Sequence, residues 1–188
     1  MAKEAGQIRD EELDAQREAV RRTALAQIRQ YGDAALRLEA RPVEDFDDDL
    51  QRLVVRMKRL MIDANGVGLA GTQVGVLRRV LVFQEDSEEE PIALVNPVIV
   101  ERSDELSTVD EGCLSLQGVL VPVERSCRVT IEAKDETGAD VRLELADPDA
   151  RVVQHEVDHL DGVLIIDRTT PEARREALGV LRPRVALV

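Results

Sequence analysis

The segment from residue 46 to residue 66, FDDDLQRLVVRMKRLMIDANG, has apolar positions at the spacing of an α-helix. Aspartates occupy its first turn, where the partial positive charge of a helix N-terminus favours anions, and Asn65 and Gly66 suit the end of a helix. We therefore predict an amphipathic helix here. Its apolar stripe is expected to pack in the core and consists of Leu50, Leu53, Val54, Met57, Leu60 and Met61.

Beyond this helix the pattern changes to short runs rich in β-branched residues. Four such runs are predicted strands: residues 78–83, 92–100, 128–133 and 141–146. KDETGAD (134–140) has the composition of a hairpin turn, and EDSEEE (85–90) that of a solvated loop. The core is expected to consist of Leu, Val, Ile and Ala, because aromatic residues make up only 2% of the chain.

Helical spacing returns in ADPDARVVQHEVDHL (146–160), where Asp147 is a suitable N-cap and Pro148 suits the first turn. A terminal helix is predicted over PEARREALGVLR (171–182). With 188 residues and no internal repeat, the chain suits a single domain. We divide it into a polar helical or disordered extension (1–26), the domain itself (27–170), and a C-terminal helix and tail (171–188).

Composition narrows the class of protein. The formal net charge of −13 argues against a broad nucleic-acid-binding face, so no DNA partner is expected. No apolar run approaches the length of a membrane span, and the first residues lack the apolar core of a signal peptide, so a cytoplasmic location without membrane contact is expected.

The two cysteines of the chain, Cys113 and Cys127, are too few for a disulfide scaffold, although one bridge between them stays possible. A metal-binding or catalytic role is favoured for at least one of them.

The only two histidines of the chain lie four residues apart, in HEVDH (155–159). Positions i and i+4 share one face of a helix, so His155 and His159 could both bind one divalent metal ion while Glu156 acts as a general base. The alternative is two partly exposed histidines on a charged helix. A third ligand has to come from elsewhere. Cys113, in DEGCLSLQG (110–118), is the more distinctive candidate, whereas a carboxylate ligand and a small buried cysteine are its alternatives.

A glycine-rich stretch, NGVGLAGTQVG (65–75), follows the first predicted helix of the domain. It lacks the Gly-Lys-Ser/Thr end of a phosphate-binding loop. Its glycines allow close approach of the backbone to a ligand, and Gln73 could donate a hydrogen bond to a developing oxyanion. A structural turn is the alternative interpretation. A Cys-His-His metal site with an open position for water would favour hydrolysis.

Three motifs occur in order in this chain: GVGLAGTQ (66–73), EGCLS (111–115) and QHEVDHLDG (154–162). Together they resemble the three motifs of the peptide deformylases, and the similarity runs from residue 27 to residue 168. The resemblance implies an α+β fold in which mixed and antiparallel strands pack around the helix that bears the histidines. It also implies a metal-dependent hydrolase that removes the N-terminal formyl group from formylmethionyl nascent polypeptides.

The resemblance assigns roles to the matching residues. Cys113, His155 and His159 match the metal ligands, Glu156 the general base, Gln73 and the backbone N–H of Leu114 the oxyanion donors, and Val67 and Gly68 the substrate contacts. Gln154 and Asp158 are expected to orient the ligands, and Glu111 to pair with Arg125. The implied cofactor is one divalent metal ion, Fe²⁺ first, with Ni²⁺, Co²⁺ and Zn²⁺ open.

Two positions depart from the family's motifs: Gly71, where alanine is usual, and Asp147-Pro148-Asp149, where Gly-Leu-Leu is common. They motivate the alternative of a non-catalytic metal- or peptide-binding relative. A zincin-type metalloprotease is a further alternative, but it leaves EGCLS unexplained. Arginines of the terminal helix either contact the ribosome or form solvated surface: Arg174, Arg175, Arg182 and Arg184.

Overall fold

The computed structural model describes residues 2–84 and 90–182. Within them the α-helices are α1 (Ala2–Leu25), α2 (Asp48–Asp63), α3 (Asp149–Leu160) and α4 (Pro171–Leu181). The strands are β1 (Gly68–Ala70), β2 (Val80–Phe83), β3 (Ile92–Arg102), β4 (Leu106–Glu111), β5 (Val121–Ser126), β6 (Arg128–Lys134) and β7 (Asp140–Ala146). Short 3-10 helices cover Ala34–Arg37, Gly71–Val74 and Ile165–Asp167. All but the last residue of the predicted EDSEEE loop lies outside the described residues.

The strands form a five-stranded sheet in the order β1-β2-β3-β6-β7 and a separate β4-β5 hairpin, with antiparallel pairing throughout both. All four predicted strands are present, and the predicted turn at 134–140 joins β6 to β7. Three strands were missed: β1, β4 and β5. β1 has only three residues in a glycine-rich stretch, and most of β4 is exposed and polar, so neither carries a periodic apolar signal.

Helix α2 matches its prediction. The side chain of Asp47 caps it by accepting a hydrogen bond from the Leu50 N–H at 2.9 Å. Five of the six predicted stripe residues are buried, and Leu53 packs partly buried against the same core cluster. This cluster joins α2 to β2 and to the C-terminal end of α1. Helix α2, which precedes the glycine-rich stretch, is therefore packed against both the sheet and α1.

Helix α3 lies against strands of both sheets and buries polar as well as apolar side chains. Its apolar positions pack against the five-stranded sheet through Leu81, Leu94 and Ile131. The predicted cap was wrong by one residue: Pro148 occupies the N-cap position, and the Asp147 carboxylate instead accepts a hydrogen bond from Ser107 Oγ at 2.8 Å. A helix covered on most sides can carry buried titratable side chains, whose pKa values burial shifts.

The first helix, α1, is attached to the domain by its C-terminal end. Ala24 and Leu25 are buried in the α2 core cluster, whereas residues 14–23 are exposed. At the other end of the chain, Thr170 Oγ1 caps α4 by accepting from the Ala173 N–H at 3.2 Å. Across residues 2–84 and 90–182, no helix combines the length and apolar character needed to cross a bilayer.

Candidate metal centre and active site

Cys113, His155 and His159 converge on one point between the β4-β5 hairpin and α3. Each offers a ligand atom, and these atoms lie within 4.8 Å of one another. The two histidines are one helical turn apart, with ring centroids separated by 4.9 Å. Cys113, which comes directly after β4, places its Sγ 3.2 Å from His159 Nε2. The structure thus brings together the three residues that the sequence predicts as metal ligands.

The donor set fits a divalent transition metal. One thiolate and two imidazoles suit Fe²⁺, Co²⁺, Ni²⁺ or Zn²⁺, and three protein ligands leave a position for water or substrate. Burial, with the positive charge of His155, holds the pKa of His159 well below its usual value, so its imidazole is neutral as a ligand must be. His159 Nδ1 is buried and has no hydrogen-bond partner within the described part of the chain.

His155 is oriented by Glu111, which lies behind it. Its Nδ1 lies 3.0 Å from Glu111 Oε2, which leaves Nε2 to face the cluster. Burial opposes charge on His155, but hydrogen bonds with Cys113 and Glu111 raise its pKa well above the usual value. Binding of a cation at Nε2 would release that proton.

A buried network of carboxylates and guanidinium groups holds Glu111 in place. Arg125 donates from Nε to Glu111 Oε1 at 2.6 Å and from Nη2 to Glu111 Oε2 at 3.0 Å, which confirms the predicted pair. Arg151 Nη1 donates to Glu111 Oε1 at 2.8 Å. Burial raises the pKa of Glu111, but hydrogen bonds with His155 and Arg125 outweigh it and lower this pKa to about 2. Glu111 is therefore ionised at neutral pH.

The expectation for Gln154 and Asp158 needs correction. Gln154 Nε2 donates to the carbonyl groups of Ser126 and Ala150, both at 2.9 Å, and so ties α3 to β5 rather than orienting a ligand. Asp158 accepts from Arg125 Nη1 at 2.9 Å and reaches His155 only through Arg125 and Glu111. The ligand-orienting role belongs to Glu111, which sequence reasoning had paired with Arg125 alone.

Arg151 was also missed by sequence reasoning. It is buried and donates to Glu111, to the Val123 carbonyl and to the backbone and hydroxyl oxygens of Ser107. A signal for it existed, since Arg151 lies four residues before His155 and thus shares its helix face. A buried arginine is rare unless it is paired, so an arginine on the histidine-bearing face of this helix could have been predicted to pair with a carboxylate near the ligands.

Glu156 is a buried carboxylate on the cavity side of α3. It is 3% exposed, and its Oε2 has no hydrogen-bond partner among the residues described. Burial raises its pKa to about 7, against the lowering effect of His155 and Arg125, so it can both accept and release a proton near neutral pH. A Cβ atom on Gly68 would lie 2.4 Å from Glu156 Oε1. The glycine at 68 therefore makes room for the carboxylate.

Gln73 is fixed by its own loop and points its amide at the cluster. Its Oε1 accepts from the Ala70 N–H at 2.8 Å, and its Nε2 donates to Ser115 Oγ at 3.1 Å and lies 3.6 Å from Cys113 Sγ. Gly71, one of the two departures, is buried in the same 3-10 turn. A Cβ there would lie 2.8 Å from the Arg78 carbonyl oxygen, so close packing accounts for glycine at this position.

A cavity of about 620 Å³ connects these groups to solvent. Gln73, Cys113, Leu114, His155 and Glu156 line it, together with the loop that contains the exposed Val67 and with residues 116–120. The segment Asp147-Pro148-Asp149, the second departure, does not line this cavity. Cys127 lies elsewhere, and both cysteines are free thiols, so no disulfide joins them.

An α+β fold with a partly buried Cys-His-His cluster beside a buried, protonatable glutamate is typical of a metal-dependent hydrolase. The family model described as polypeptide deformylase matches residues 25–175. A peptide deformylase of Acidothermus cellulolyticus is 46% identical over 159 residues, which cover 85% of this chain and 87% of the relative. The chain therefore belongs to the peptide deformylase family.

Solved structures agree with this assignment. The peptide deformylase of Synechococcus elongatus in complex with actinonin superposes with a TM-score of 0.78 at 39% identity, covering 81% of this chain and 85% of that one. The Thermotoga maritima enzyme gives a TM-score of 0.73 at 44% identity, covering 77% and 97%. The predicted family, α+β fold, enzyme class and function are thereby confirmed: the family consists of metal-dependent hydrolases that deformylate formylmethionyl peptides.

Proposed function

We propose that Cys113, His155 and His159 bind one divalent metal ion, with Fe²⁺ as the native metal, and that this centre performs the deformylation. The observation that carries the proposal is the convergence of three ligand atoms within 4.8 Å beside a buried carboxylate. The thiolate and imidazole donors favour Fe²⁺ over the hard cations Mg²⁺ and Ca²⁺. When bound, such an ion acidifies water and polarises the formyl carbonyl.

Glu156 moves the proton of the reaction. Its pKa of about 7 suits a group that accepts a proton from the attacking water and then delivers it to the leaving amine nitrogen. Because Oε2 has no other partner in the described part of the chain and Gly68 adds no side chain, the carboxylate faces the cavity freely.

Gln73 and Leu114 stabilise the oxyanion that develops on the formyl oxygen. The Gln73 amide is held by Ala70 and Ser115, which fixes its Nε2 beside the cluster. Its second N–H, which faces Cys113 Sγ at an N···S distance of 3.6 Å, is the one that donates to the oxyanion. The backbone N–H of Leu114, next to Cys113, is the second donor. Both groups lie in the cavity wall beside the metal ligands.

Val67 and Gly68 bind the substrate at the start of β1. This strand is the edge of the five-stranded sheet and pairs with β2 on one side only. An extended peptide can therefore add its backbone hydrogen bonds along the free edge, with the methionine side chain in the cavity. Residues 27–170 form the catalytic domain in this proposal, with residues 171–188 as an attached helix and tail and residues 1–26 as an extension.

The decisive experiment measures formate release from formyl-Met-Ala-Ser by protein purified without oxygen and loaded with Fe²⁺, Co²⁺, Ni²⁺ or Zn²⁺ in parallel. We expect release with at least Fe²⁺, and a loss on Glu156→Ala. Release no greater than that of Glu156→Ala with every metal would favour a non-catalytic binding protein. Cleavage of an internal peptide bond without formate release would favour a zincin-type protease.

We propose that the enzyme acts in the cytoplasm, on nascent chains that begin with formylmethionine. We also propose that two exposed arginines contact the ribosome: Arg175, in the middle of α4, and Arg182, at its C-terminal end. Arg174 is unsuited to this contact because it donates to the Ile166 carbonyl and the Asp167 carboxylate, and Arg184 lies outside the described residues. Loss of cosedimentation with ribosomes in the double variant Arg175→Glu, Arg182→Glu would support the contact, and unchanged cosedimentation would refute it.

A further inference from the structure

The cavity that holds the metal ligands has one wall contributed by α1. Arg21 and Leu25 of this helix line it, together with the residues of the active site. Arg21 precedes the region that the family model matches, which begins at residue 25. The side chain of Arg21 is therefore an addition to the site from the N-terminal extension.

The end of α1 is fixed relative to both catalytic loops. Leu25 is 7% exposed and belongs to the core cluster against which Leu114 packs. The segment that follows is bonded to the two loops: the Arg29 N–H donates to the Gln73 carbonyl at 2.7 Å, and the Tyr31 N–H to the Ser115 carbonyl at 2.9 Å. Gln30 Nε2 adds a bond to the Leu114 carbonyl at 3.2 Å. The start of the domain thus positions α1 against the active site.

Arg21 lies four residues before Leu25 and so occupies the same helix face, one turn further from the core. Its side chain is 44% exposed, which places the guanidinium at the rim of the cavity. Its ion pair with Glu18 is long, at 3.6 Å, and exposed. Exposed pairs of this kind contribute little, so Arg21 can exchange Glu18 for another carboxylate at small cost.

The other charged groups of the cavity cannot take this role. Arg151 is buried and engaged with Glu111, Val123 and Ser107, and Glu111 and Glu156 are carboxyl groups. His155 also lines the cavity, but in the proposed function it is a neutral metal ligand. In a chain with a formal net charge of −13, an acidic peptide is repelled overall. A local cation at the mouth of the cavity is then the feature that would let such a peptide approach.

We propose that Arg21 is a specificity-determining residue that binds a carboxylate carried by the substrate downstream of its formylmethionine. The inference rests on the proposed function, because the formyl group must lie at Cys113 and Glu156 for the rest of the peptide to leave past the rim. The carboxylate is either an Asp or Glu side chain at the second or third position or the C-terminus of a short peptide. Both sources present the same planar anion to a guanidinium fork.

The test compares amidated peptides that differ only in charge, with the full chain loaded with metal. Formyl-Met-Ala-Glu-amide is paired with formyl-Met-Ala-Gln-amide, and formyl-Met-Glu-Ala-amide with formyl-Met-Gln-Ala-amide. Formyl-Met-Ala-Ser as free acid and as amide isolates the C-terminal carboxylate. We expect kcat/KM to favour the acidic member of at least one pair about two- to fivefold at low salt, mostly through KM, and the preference to shrink as salt screens it.

Variants of α1 locate the origin of the preference. Arg21→Gln is expected to bring the ratio of acidic to neutral peptide near one, Arg21→Glu to invert it, and Arg21→Lys to retain part of it. Arg22→Gln is the matched control, since Arg22 is an exposed neighbour that does not line the cavity, and it should keep the wild-type ratio. Thermal melting of each variant verifies that it is folded.

A wild-type ratio of one for every pair, or a ratio that Arg21→Glu leaves unchanged, would overturn the inference. Failure of the proposed function has a different outcome, because no peptide would then release formate. Binding of the unformylated peptides, measured by isothermal titration calorimetry on the same variants, tests the charge preference independently of turnover. Equal affinity of wild type and Arg21→Glu for the acidic peptide would also overturn it.

Discussion

Arginine–carboxylate pairs occur in two very different regions of this molecule. Behind His155, the side chains of Arg125 and Glu111 are 5% and 6% exposed and share two short hydrogen bonds. Along α1, Arg17 and Asp14 are 82% and 79% exposed, with nitrogen and oxygen 3.9 Å apart. The first pair belongs to a network with Arg151, Asp158 and Arg168, whereas the second stands on a solvated helix.

Chemical type alone does not determine what an ion pair contributes; its exposure to solvent does. In the buried network Glu111, Arg125 and Asp158 have lost most of their water, whereas Arg168 at its edge is half exposed. Removing one of the buried partners leaves the others as unpaired buried charges, which is costly. On α1 the partners keep most of their water, and the pairing contributes little. A buried network is suited to hold a metal ligand in one orientation, and an exposed arginine at a rim is suited to meet a variable substrate.

Loss of one ligand from the cluster of Cys113, His155 and His159 is expected to abolish activity. Cys113→Ala removes one of three ligands, and we expect bound metal and formate release both to fall to background, because two imidazoles alone bind weakly. Metal content by elemental analysis and formate release check this. Cys127→Ala serves as the control, since Cys127 lies outside the cluster. Full metal content in Cys113→Ala would refute the ligand assignment.

Glu156→Gln is expected to lower kcat about 10²- to 10⁴-fold, the usual contribution of a general acid–base. The amide keeps the shape of the side chain but cannot take up the proton. Metal content should remain at the wild-type level, which separates this variant from Cys113→Ala. A kcat within about tenfold of wild type would exclude Glu156 from the proton transfer.

Gly68→Ala is expected to lower kcat about 10²-fold, because a Cβ only 2.4 Å from Glu156 Oε1 must displace the carboxylate. Gly179→Ala is the matched control: no atom lies within 4 Å of its Cβ position, and alanine favours the helix. Formate-release kinetics on both variants measure the difference. Equal kcat values would show that the carboxylate can move without cost.

Glu111→Gln removes one negative charge from the buried network. We expect metal affinity to fall about 10- to 100-fold, because His155 loses its anionic partner. The free energy of unfolding should fall by about 3 kcal/mol, since Arg125 and Arg151 lose the same anion. Metal titration and denaturant unfolding measure the two quantities. A fall in stability with unchanged affinity would restrict Glu111 to a structural role.

Arg17→Gln is expected to have the smallest effect. The exposed pair with Asp14 contributes within about 0.5 kcal/mol, so stability should stay within that range and kcat/KM within about twofold. Denaturant unfolding and formate release measure both. A loss comparable with that of Glu111→Gln would mean that the solvation of α1 differs from what its exposure indicates.

Local patterns were enough to predict α2, α3, α4 and four strands, because the apolar pattern of each element lies within its own residues. The helices also carry residues that are typical of helix ends. Local patterns failed where an element depends on a partner. Strand β1 is short and exists through pairing with β2, and β4 exists through pairing with β5. The cap of α3 was misplaced because Asp147 finds Ser107, a residue forty positions away in sequence.

The amino-acid sequence alone was enough to predict which side chains carry the chemistry of the site. The i, i+4 spacing of His155 and His159 around Glu156 and the motif around Cys113 indicated a metal-dependent hydrolase, since helical geometry translates spacing into a shared face. Which residues orient those side chains became visible only in the folded structure. Glu111 and Arg151 acquire their roles through burial against His155, and Arg21 through the docking of α1, because long-range contacts leave no periodic mark on a chain.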